Sequence, residues 1–180
     1  LLTRPEAYKL CHYLPEAYPA IKDNTPETVW IKAPADIDKI MELLAIFGNG
    51  PILVKDFVKS RKYEWNEACF IPDASDKDTV QKVVARFTEL QGDSLNEGFV
   101  FRKYVTLAGT GSTDPAGRPT IFEERIFFLD GKPLYKPQLN IPIDRFAGIA
   151  KGVQSRFFSM DVAERTDTND WTIIEVGDAQ

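Results

Sequence analysis

The sequence predicts an α+β fold, in which helices and strands are mixed rather than strictly alternating. Two segments carry apolar residues at helical spacing, which predicts amphipathic helices. Several other segments are apolar runs rich in β-branched and aromatic residues, which predicts strands. Some of these predicted strands follow one another without a helix between them, which favours an α+β fold over a parallel α/β sheet.

The first predicted elements are a broken helix, a short strand and a second helix. Residues 5–21 carry apolar and aromatic residues that two prolines interrupt, so we expect a broken helix there. Residues 29–32 predict a short strand. A helix then starts near Asp36 and carries apolar residues at helical spacing until Gly48 ends it.

The middle of the sequence predicts a strand, a helix and two longer strands. Residues 51–55 form a short apolar run that ends on a lysine. A second amphipathic helix opens at Asp78, with apolar residues on one face. Two long strands follow at 98–107 and 120–129. The segment 108–119 between them is rich in Gly, Ser, Thr and Pro, which predicts a mobile loop.

The last predicted elements begin with a tight turn. Asp-Gly at residues 130–131 is typical of a hairpin and predicts a return strand at 133–136. A short helix is expected at 143–152, and strands are expected at 157–163 and 171–176.

Composition limits the class of protein. With 180 residues, of which 43% are hydrophobic, the chain can bury a core as one compact unit or as two small lobes that share a cleft. Charged residues make up 27% and the net charge is −5, which argues against a disordered polymer and against a basic nucleic-acid binder. No apolar run reaches the roughly 20 residues of a membrane span, so we expect no membrane association.

Cysteine and histidine usage narrows the chemistry further. Cys11 and Cys69 lie far apart and form no CxxC pair, which favours free thiols in a reducing cytoplasm over a disulfide. The single histidine, His12, argues against a zinc site rich in histidine and cysteine, and we expect it to be structural. The sequence begins without methionine and ends directly after a strand-like run, which indicates a fragment of a longer protein.

A cluster of cations follows the short apolar strand. It consists of Lys55, at the end of the strand, and then Lys59, Arg61 and Lys62, with Ser60 among them. These cations repel one another unless an anion lies between them. A triphosphate is a candidate, because Lys and Arg donate charge-assisted hydrogen bonds to phosphate oxygens. The alternative, which a charge run by itself favours, is a solvated loop.

Charged residues also interrupt the two long strands. Arg102 and Lys103 are adjacent, so the period of two directs them to opposite faces of the first strand. Glu123, Glu124 and Arg125 interrupt the second strand in the same way. These charges predict a polar cleft between or over the strands. Cross-strand pairing of Arg and Glu on a solvated face is the alternative.

Carboxylates occur inside the last two strands. Asp161 and Glu175 are each flanked by apolar residues, and a buried carboxylate is costly unless it is paired or bound to a metal. On antiparallel neighbours both could meet on one face, with Asp178 nearby. Oxygen ligands fit the Mg²⁺ that a nucleotide carries. Solvation at an edge strand, or pairing with Arg125, is the alternative.

In their order, these pieces resemble the ATP-grasp superfamily. Residues 51–62 look like its first phosphate-binding strand and lid loop, and residues 102–105 are similar to the hinge strand whose backbone contacts adenine. Residues 123–132 look like the hairpin that follows in the family. Asp161 and Glu175 are similar to the paired Mg²⁺ carboxylates that close the series of motifs.

Three segments resemble more narrowly the ATP-grasp clade named for one arginine and two lysines. They are Pro5-x-x-Tyr8-x-x-x-His12-x-Leu14-Pro15, Lys55-Asp-Phe-Val-Lys-Ser-Arg-Lys62 with Trp65, and Ile174-Glu-Val-Gly-Asp178. Two features depart from the superfamily pattern. The lid is not rich in glycine, and Gly177 stands where the superfamily usually has asparagine.

The resemblance implies two small α+β lobes whose antiparallel sheets sandwich a nucleotide cleft. It implies a partial preceding region at 1–48, a first lobe with the lid loop and the hinge strand at 49–107, and a second lobe with the metal-binding strands at 108–180, truncated at its C-terminal end. The cofactors that it implies are ATP and Mg²⁺.

The resemblance also assigns roles to individual residues. The catalytic residues that it implies are Arg125 and Lys62. The nucleotide-binding residues that it implies are Lys55, Ser60, Arg61, Lys62, Arg102, Lys103, Tyr104, Val105 and Glu124. The Mg²⁺ ligands that it implies are Asp161, Glu175 and Asp178.

The implied reaction is the ATP-dependent joining of an unidentified carboxylate substrate to an amine or a thiol, through an acylphosphate, in the cytoplasm. The substrate classes that the resemblance allows are amino acids, peptides and proteins. Two alternatives stay open. Lys55-Asp56, together with the strand that starts at residues 97–100, loosely resembles a covalent nucleotidyltransferase of the RNA/DNA ligase type. A non-catalytic nucleotide-binding module would keep the fold but lose metal positions, and Gly177 is consistent with such a loss.

Overall fold

The structure is a computed structural model that describes residues 4–115 and 117–179. Its contacts divide the chain into two compact units. The central unit consists of Glu27–Tyr104 and Gly111–Thr120, and the terminal unit consists of Leu1–Pro26, Val105–Thr110 and Ile121–Gln180. This division differs from the boundaries expected at residues 48 and 107, because strand pairing and helix packing join segments that are distant in sequence.

The central unit contains a four-stranded antiparallel sheet. Its strands, in spatial order, are β1 (Thr28–Lys32), β4 (Gly98–Lys103), β2 (Ile52–Asp56) and β3 (Phe70–Ile71). The predicted strand at 98–107 ends earlier, at Lys103, and β3 is too short to produce a periodic sequence signal. Residues 29–32 lie in the sheet because β1 pairs with β4, which places them outside the predicted preceding region.

Helices cover one face of this sheet. They are α3 (Ile37–Leu44), α4 (Trp65–Ala68) and α5 (Lys77–Gln91). Asp36 caps α3 by accepting the N–H of Asp38 at 2.7 Å, and Asp76 caps α5 by accepting the N–H groups of Asp78 and Thr79. The second helix therefore starts slightly earlier than predicted. Its apolar face and that of α3 pack on the sheet in a core that includes Ile40, Leu44, Val54, Phe87, Phe99 and Phe101.

The segment predicted as a loop at 108–119 forms a hairpin instead. Strands β5 (Gly109–Thr113) and β6 (Pro119–Ile121) pair as a two-stranded sheet. The hydroxyls of Ser112 and Thr120 lie 2.8 Å apart across it, and Arg118 donates to Asp114 at the turn, at 2.9 Å. Every residue of β5 is exposed, so the strand lacks the apolar alternation from which a sequence pattern is read.

The terminal unit contains the second antiparallel sheet. Its strands, in spatial order, are β10 (Trp171–Asp178), β9 (Phe157–Glu164), β7 (Glu123–Leu129) and β8 (Lys132–Pro133). The predicted strand at 120–129 is interrupted at Phe122. The predicted Asp-Gly turn is confirmed, since Asp130 and Gly131 adopt φ values of 49° and 74°, as tight hairpins require.

Three helices complete the terminal unit. They are α1 (Pro5–His12), α2 (Leu14–Ile21) and α6 (Ile143–Ala150). The predicted broken helix is confirmed, and its break lies at Tyr13, whose backbone is extended. The segment after α2 is bonded to β10, where the Thr25 hydroxyl donates to the carbonyl of Ile173 at 2.8 Å. Within the described ranges, no helix combines the length and apolarity needed to cross a membrane.

Candidate functional site

A row of three charged residues crosses the sheet of the terminal unit. Strands β7, β9 and β10 are neighbours, and their register places Arg125 opposite Asp161 and Asp161 opposite Glu175. Directly opposed residues on antiparallel strands project to the same face. The sequence singled out all three residues, and the register brings them together on one face.

Arg125 and Asp161 form a bidentate ion pair. The Arg125 Nε and Nη2 atoms donate to the two carboxylate oxygens of Asp161, each at 2.7 Å. The Asp161 side chain is 9% exposed, whereas that of Arg125 is 59% exposed. The hydrogen bond with Asp161 raises the pKa of Arg125, and the charges of Glu175 and Glu123 raise it further. The guanidinium is therefore a fixed positive charge among carboxylates.

The oxygen ligands suited to Mg²⁺ in this row are those of Asp161 and Glu175. The bulge of β10 lies between Ile173 and Glu175, and pairing is regular from there to Asp178. Asp178 is three residues beyond Glu175 and so projects to the opposite face. Within the part of the chain that the structure describes, no group of three or more His, Cys, Asp or Glu side chains is arranged to hold a metal ion. The predicted third ligand, Asp178, does not fit the register.

His12 explains the glycine at position 177. Gly177 lies on the same face of β10 as Glu175, two residues away. A Cβ atom at position 177 would lie 3.2 Å from Nδ1 of His12, which is a tight approach. The same Nδ1 accepts the backbone N–H of Asp178 at 3.2 Å. A side chain at position 177 would therefore require the imidazole to shift by a few tenths of an ångström, in keeping with the structural role expected for His12.

The Glu124 carboxylate is hydrogen-bonded to backbone N–H groups. Its carboxylate oxygens accept the N–H groups of Gln138 and Leu139 at 2.7 and 2.8 Å. The hydroxyl of Tyr135 donates to the backbone carbonyl of Arg125. These bonds fix the segment at 134–139 against β7. A nucleotide bound by Glu124, as predicted, would have to share the Glu124 carboxylate with these two N–H groups.

Lys55 and Arg102 lie on one face of the sheet of the central unit. Arg102 pairs with Leu53 in the register of β2 and β4. Lys55 and Arg102 are therefore diagonal neighbours, with their Cα atoms about 7–8 Å apart. Arg102 is buried and Lys55 is half-buried, whereas Lys103 is exposed on the other face. The expected opposite orientation of Arg102 and Lys103 is confirmed.

Asp56 holds the start of the basic loop. Its side chain is fully buried and accepts the N–H groups of Val58, at 2.7 Å, and of Lys59. It also accepts the amide Nε2 of Gln91 at 2.6 Å and the amide Nδ2 of Asn96 at 2.9 Å. One carboxylate therefore ties the end of β2 to the end of α5 and to the segment before β4.

The predicted phosphate-binding residues of the basic loop differ in their surroundings. Ser60 and Lys62 are exposed, and the Nζ atom of Lys62 lies 5.9 Å from the ring centroid of Tyr63. Arg61 donates from Nη2 to the backbone carbonyl of Leu90, near the end of α5. Arg61 therefore anchors the loop, while Ser60 and Lys62 are presented to solvent.

The predicted adenine-binding strand has two of its amides occupied. The N–H of Lys103 donates to the carbonyl of Glu27 at 2.8 Å, and that of Tyr104 donates to the carbonyl of Pro51 at 2.9 Å. Tyr104 packs edge-on against Phe70, with ring centroids 5.2 Å apart. Val105, the last residue of this prediction, is half-buried and belongs to the terminal unit.

Both cysteines are free, as the sequence predicts, and both are buried. Burial raises the pKa of the Cys11 thiol to about 12, with a further contribution from the charge of Asp178. Burial likewise raises the pKa of the Cys69 thiol to about 12. Neither thiol is a nucleophile near neutral pH, because the thiolate is the reactive form.

Sequence reasoning missed three apolar residues beside the charged row. Phe122, Tyr135 and Leu139 are exposed and line a cavity together with Glu123 and Arg125. The return strand predicted at 133–136 spans only Lys132–Pro133 in the structure, so Tyr135 and Leu139 lie beyond it. Such residues have no helix or strand face to cover, which favours a surface role.

Comparison with known proteins gives one family match. The matching model describes the ATP-grasp domain of family 3 in the clade named for one arginine and two lysines, and it covers residues 44–180. A search of curated proteins found no match to the sequence.

Three solved structures illustrate the similarity in fold. The D-alanine–D-alanine ligase from Bacillus anthracis has a TM-score of 0.63 at 13% identity, over 98% of this chain and 59% of that one. Cdc123 from Schizosaccharomyces pombe has a TM-score of 0.63 at 12% identity, over 99% and 87%. The ATP-grasp ligase PsnB, complexed with its minimal precursor, has a TM-score of 0.56 at 13% identity, over 96% and 53%. At these identities the similarity establishes the fold alone, and it confirms the predicted α+β class. The chain spans about half the length of PsnB.

Proposed function

Since this chain belongs to family 3 of the ATP-grasp clade named for one arginine and two lysines, we propose that it is an ATP-dependent ligase that joins a carboxylate to an amine or a thiol. The observation that carries the proposal is the row of Arg125, Asp161 and Glu175, which sets a fixed guanidinium beside two carboxylates on one sheet face. Two of the structural neighbours described above, PsnB and the D-alanine–D-alanine ligase, are themselves ligases.

The proposed reaction has two steps. A carboxylate oxygen of the first substrate attacks the γ-phosphorus of ATP, the bond from that phosphorus to the β–γ bridging oxygen breaks, and ADP leaves. The amine or thiol of the second substrate then attacks the acyl carbon of the acylphosphate. Inorganic phosphate leaves, and the attacking atom gives up its proton. The protein contributes by positioning the reactants and by stabilising negative charge.

Cations of the central unit would bind the phosphates of ATP. Lys55 and Arg102 share one face of the sheet, and Ser60 and Lys62 project from the exposed loop that follows. Ammonium and guanidinium groups donate charge-assisted hydrogen bonds to phosphate oxygens. Asp56 and Arg61 contribute indirectly, because they fix the two ends of this loop.

The carboxylates of the terminal unit are the proposed Mg²⁺ ligands. Asp161 and Glu175 are directly opposed and offer the oxygen ligands that Mg²⁺ prefers, and Asp161 would share its two oxygens between Mg²⁺ and Arg125. When bound, Mg²⁺ neutralises charge on phosphate oxygens. Arg125 would stabilise the negative charge of the transferred phosphoryl group, from a position fixed by Asp161.

The reaction can be tested by identifying the products that the protein forms from radiolabelled ATP. With a panel of carboxylates and amines, the ligase releases ADP and phosphate over many turnovers only when both substrates are present. No label from ATP radiolabelled at its α-phosphate stays on the denatured protein. A covalent nucleotidyltransferase would instead release pyrophosphate and retain a lysine–AMP adduct at Lys55.

Calorimetric titration with Mg·ATP tests the nucleotide site. Lys55→Ala should weaken binding at least tenfold, whereas Lys82→Ala, which removes an exposed lysine of α5, should leave it unchanged. Equal affinities for both variants would contradict the role of Lys55. Normal binding without ADP release for any substrate pair would identify the chain as a non-catalytic module. We also infer a cytoplasmic location, in keeping with the two free thiols.

A further inference from the structure

A cavity opens beside the charged row of the terminal unit. Its volume is about 410 Å³, within the usual range for a small-molecule site. It is lined by residues 122–125 of the chain and by Tyr135, Gln138 and Leu139. Arg125, the proposed stabiliser of the transferred phosphoryl group, therefore forms part of its wall.

Apolar side chains supply one side of this cavity. Phe122 is 52% exposed, Tyr135 is 41% exposed and Leu139 is 37% exposed. Single exposed apolar residues are common, whereas here three of them border one concavity. Since burial of apolar surface is favourable, a ligand with an apolar part would gain free energy by covering these side chains.

The apolar wall is held in place before any ligand arrives. Glu124 accepts the N–H groups of Gln138 and Leu139 at 2.7 and 2.8 Å, and Tyr135 donates its hydroxyl to the carbonyl of Arg125. These bonds attach the wall to the strand that carries the charged row. A preorganised wall lowers the entropy cost of binding.

Three charged residues line the cavity, namely Glu123, Glu124 and Arg125. The Glu124 carboxylate accepts two N–H groups of the wall, whereas Glu123 and Arg125 are exposed. Glu123 and Arg125 are two residues apart on β7, so they project to the same face with their Cα atoms about 7 Å apart. An ammonium group would pair with Glu123, and a carboxylate would pair with Nη1 of Arg125, because Nε and Nη2 donate to Asp161. A free α-amino acid carries both groups on one carbon and its side chain on the same carbon.

We propose that this cavity binds a free α-amino acid with a large apolar side chain, and that this amino acid is one of the two substrates. The second clause rests on the proposed function, whereas the first rests on the cavity alone. The ammonium group contacts Glu123, the carboxylate contacts Arg125, and the side chain packs against Phe122 and Leu139. An internal residue of a peptide lacks both charged groups, and a purely anionic ligand would be repelled by Glu123.

Calorimetric titration with amino acids, in the absence of nucleotide, tests the ligand class. L-leucine and L-phenylalanine should bind at least tenfold more tightly than L-alanine, because several methylene or ring carbons are lost in alanine. N-acetyl-L-leucine and L-leucinamide, which each lack one charge, should also bind at least tenfold more weakly than L-leucine. Equal binding of leucine and alanine, or of leucine and its two derivatives, would overturn the proposal.

Variants then locate the binding. Phe122→Ala and Glu123→Gln should each weaken L-leucine binding about tenfold. The matched control is Leu134→Ala, since Leu134 is 53% exposed in the same segment but does not line the cavity. Unchanged affinity in Phe122→Ala and Glu123→Gln would refute the location. So would an equal loss in Leu134→Ala.

The ADP-release assay separates this proposal from the proposed function. If L-leucine binds selectively but no substrate pair, with or without L-leucine, supports ADP release, the ligase function fails and the ligand class of the cavity stands. If ADP release occurs with other substrates, and L-leucine neither binds nor inhibits it, the cavity proposal fails and the ligase function stands.

Discussion

Removal of the Asp56 carboxylate should destabilise the central unit more than removal of any exposed carboxylate. Asp56 is fully buried, and two of the groups that it accepts, the N–H of Val58 and the Nε2 of Gln91, are buried with it. A hydrogen bond to a charged group contributes about 1.5–3 kcal/mol. In Asp56→Ala the two buried donors lose their acceptor, so the free energy of unfolding should fall by about 3–6 kcal/mol.

Urea unfolding measures this loss. In a Trp171→Phe background, tryptophan fluorescence reports only on Trp30 and Trp65, which both lie in the central unit. Asp56→Asn keeps the shape and removes the charge, so its midpoint should fall between those of the wild type and Asp56→Ala.

Asp73 provides the matched control. It accepts the N–H and the hydroxyl of Ser75 at 2.8 and 2.7 Å in an exposed turn, where water can replace it. Asp73→Ala should therefore cost about 1 kcal/mol or less. If Asp56→Ala costs no more than Asp73→Ala, the buried network does not stabilise the unit, and the reasoning is refuted.

Three further predictions concern the terminal unit and the thiols. Gly177→Ala should lower the free energy of unfolding by about 1–3 kcal/mol through its tight approach to His12, and the cost should shrink in a His12→Ala background. Arg125→Ala should tighten Mn²⁺ binding in electron paramagnetic resonance titrations about tenfold, since it removes a cation that is bonded to both oxygens of Asp161 and repels a divalent ion. Arg165→Ala should leave Mn²⁺ binding unchanged. The two buried thiols, with a pKa of about 12 in the folded protein, keep their protons above pH 9 while the unfolded chain loses them. Stability should therefore fall from pH 9 towards 12 by about 1.4 kcal/mol per pH unit for each thiol, and a double cysteine-to-alanine variant should show a shallower fall in urea titrations.

Local sequence signals predicted the regular elements well. The helical spacing of apolar residues identified α3 and α5. The turn at Asp130-Gly131 was predictable because it requires positive φ values, which few other residue pairs adopt. The face of Asp178 could also have been deduced, because an offset of three residues from Glu175 puts two side chains on opposite faces of a regular strand.

Features that depend on distant partners could not be predicted in this way. Asp56 is bonded to Gln91 and Asn96, which lie 35 and 40 residues away, and no local pattern connects them. The cavity at Phe122 needs a segment about a dozen residues further on to fold back against β7. The hairpin at 109–121 was missed because exposed strands carry no apolar alternation.

The pairing of the first helices with the last strand has a consequence for biosynthesis. Thr25 and Ile173 are 148 residues apart, and His12 and Asp178 are 166 residues apart, yet each pair is hydrogen-bonded. A ribosome that adds about 5–20 residues per second needs roughly 7–30 s to make the strand that these helices pack on. For that interval the nascent helices α1 and α2 lack the strand that they contact in the folded protein.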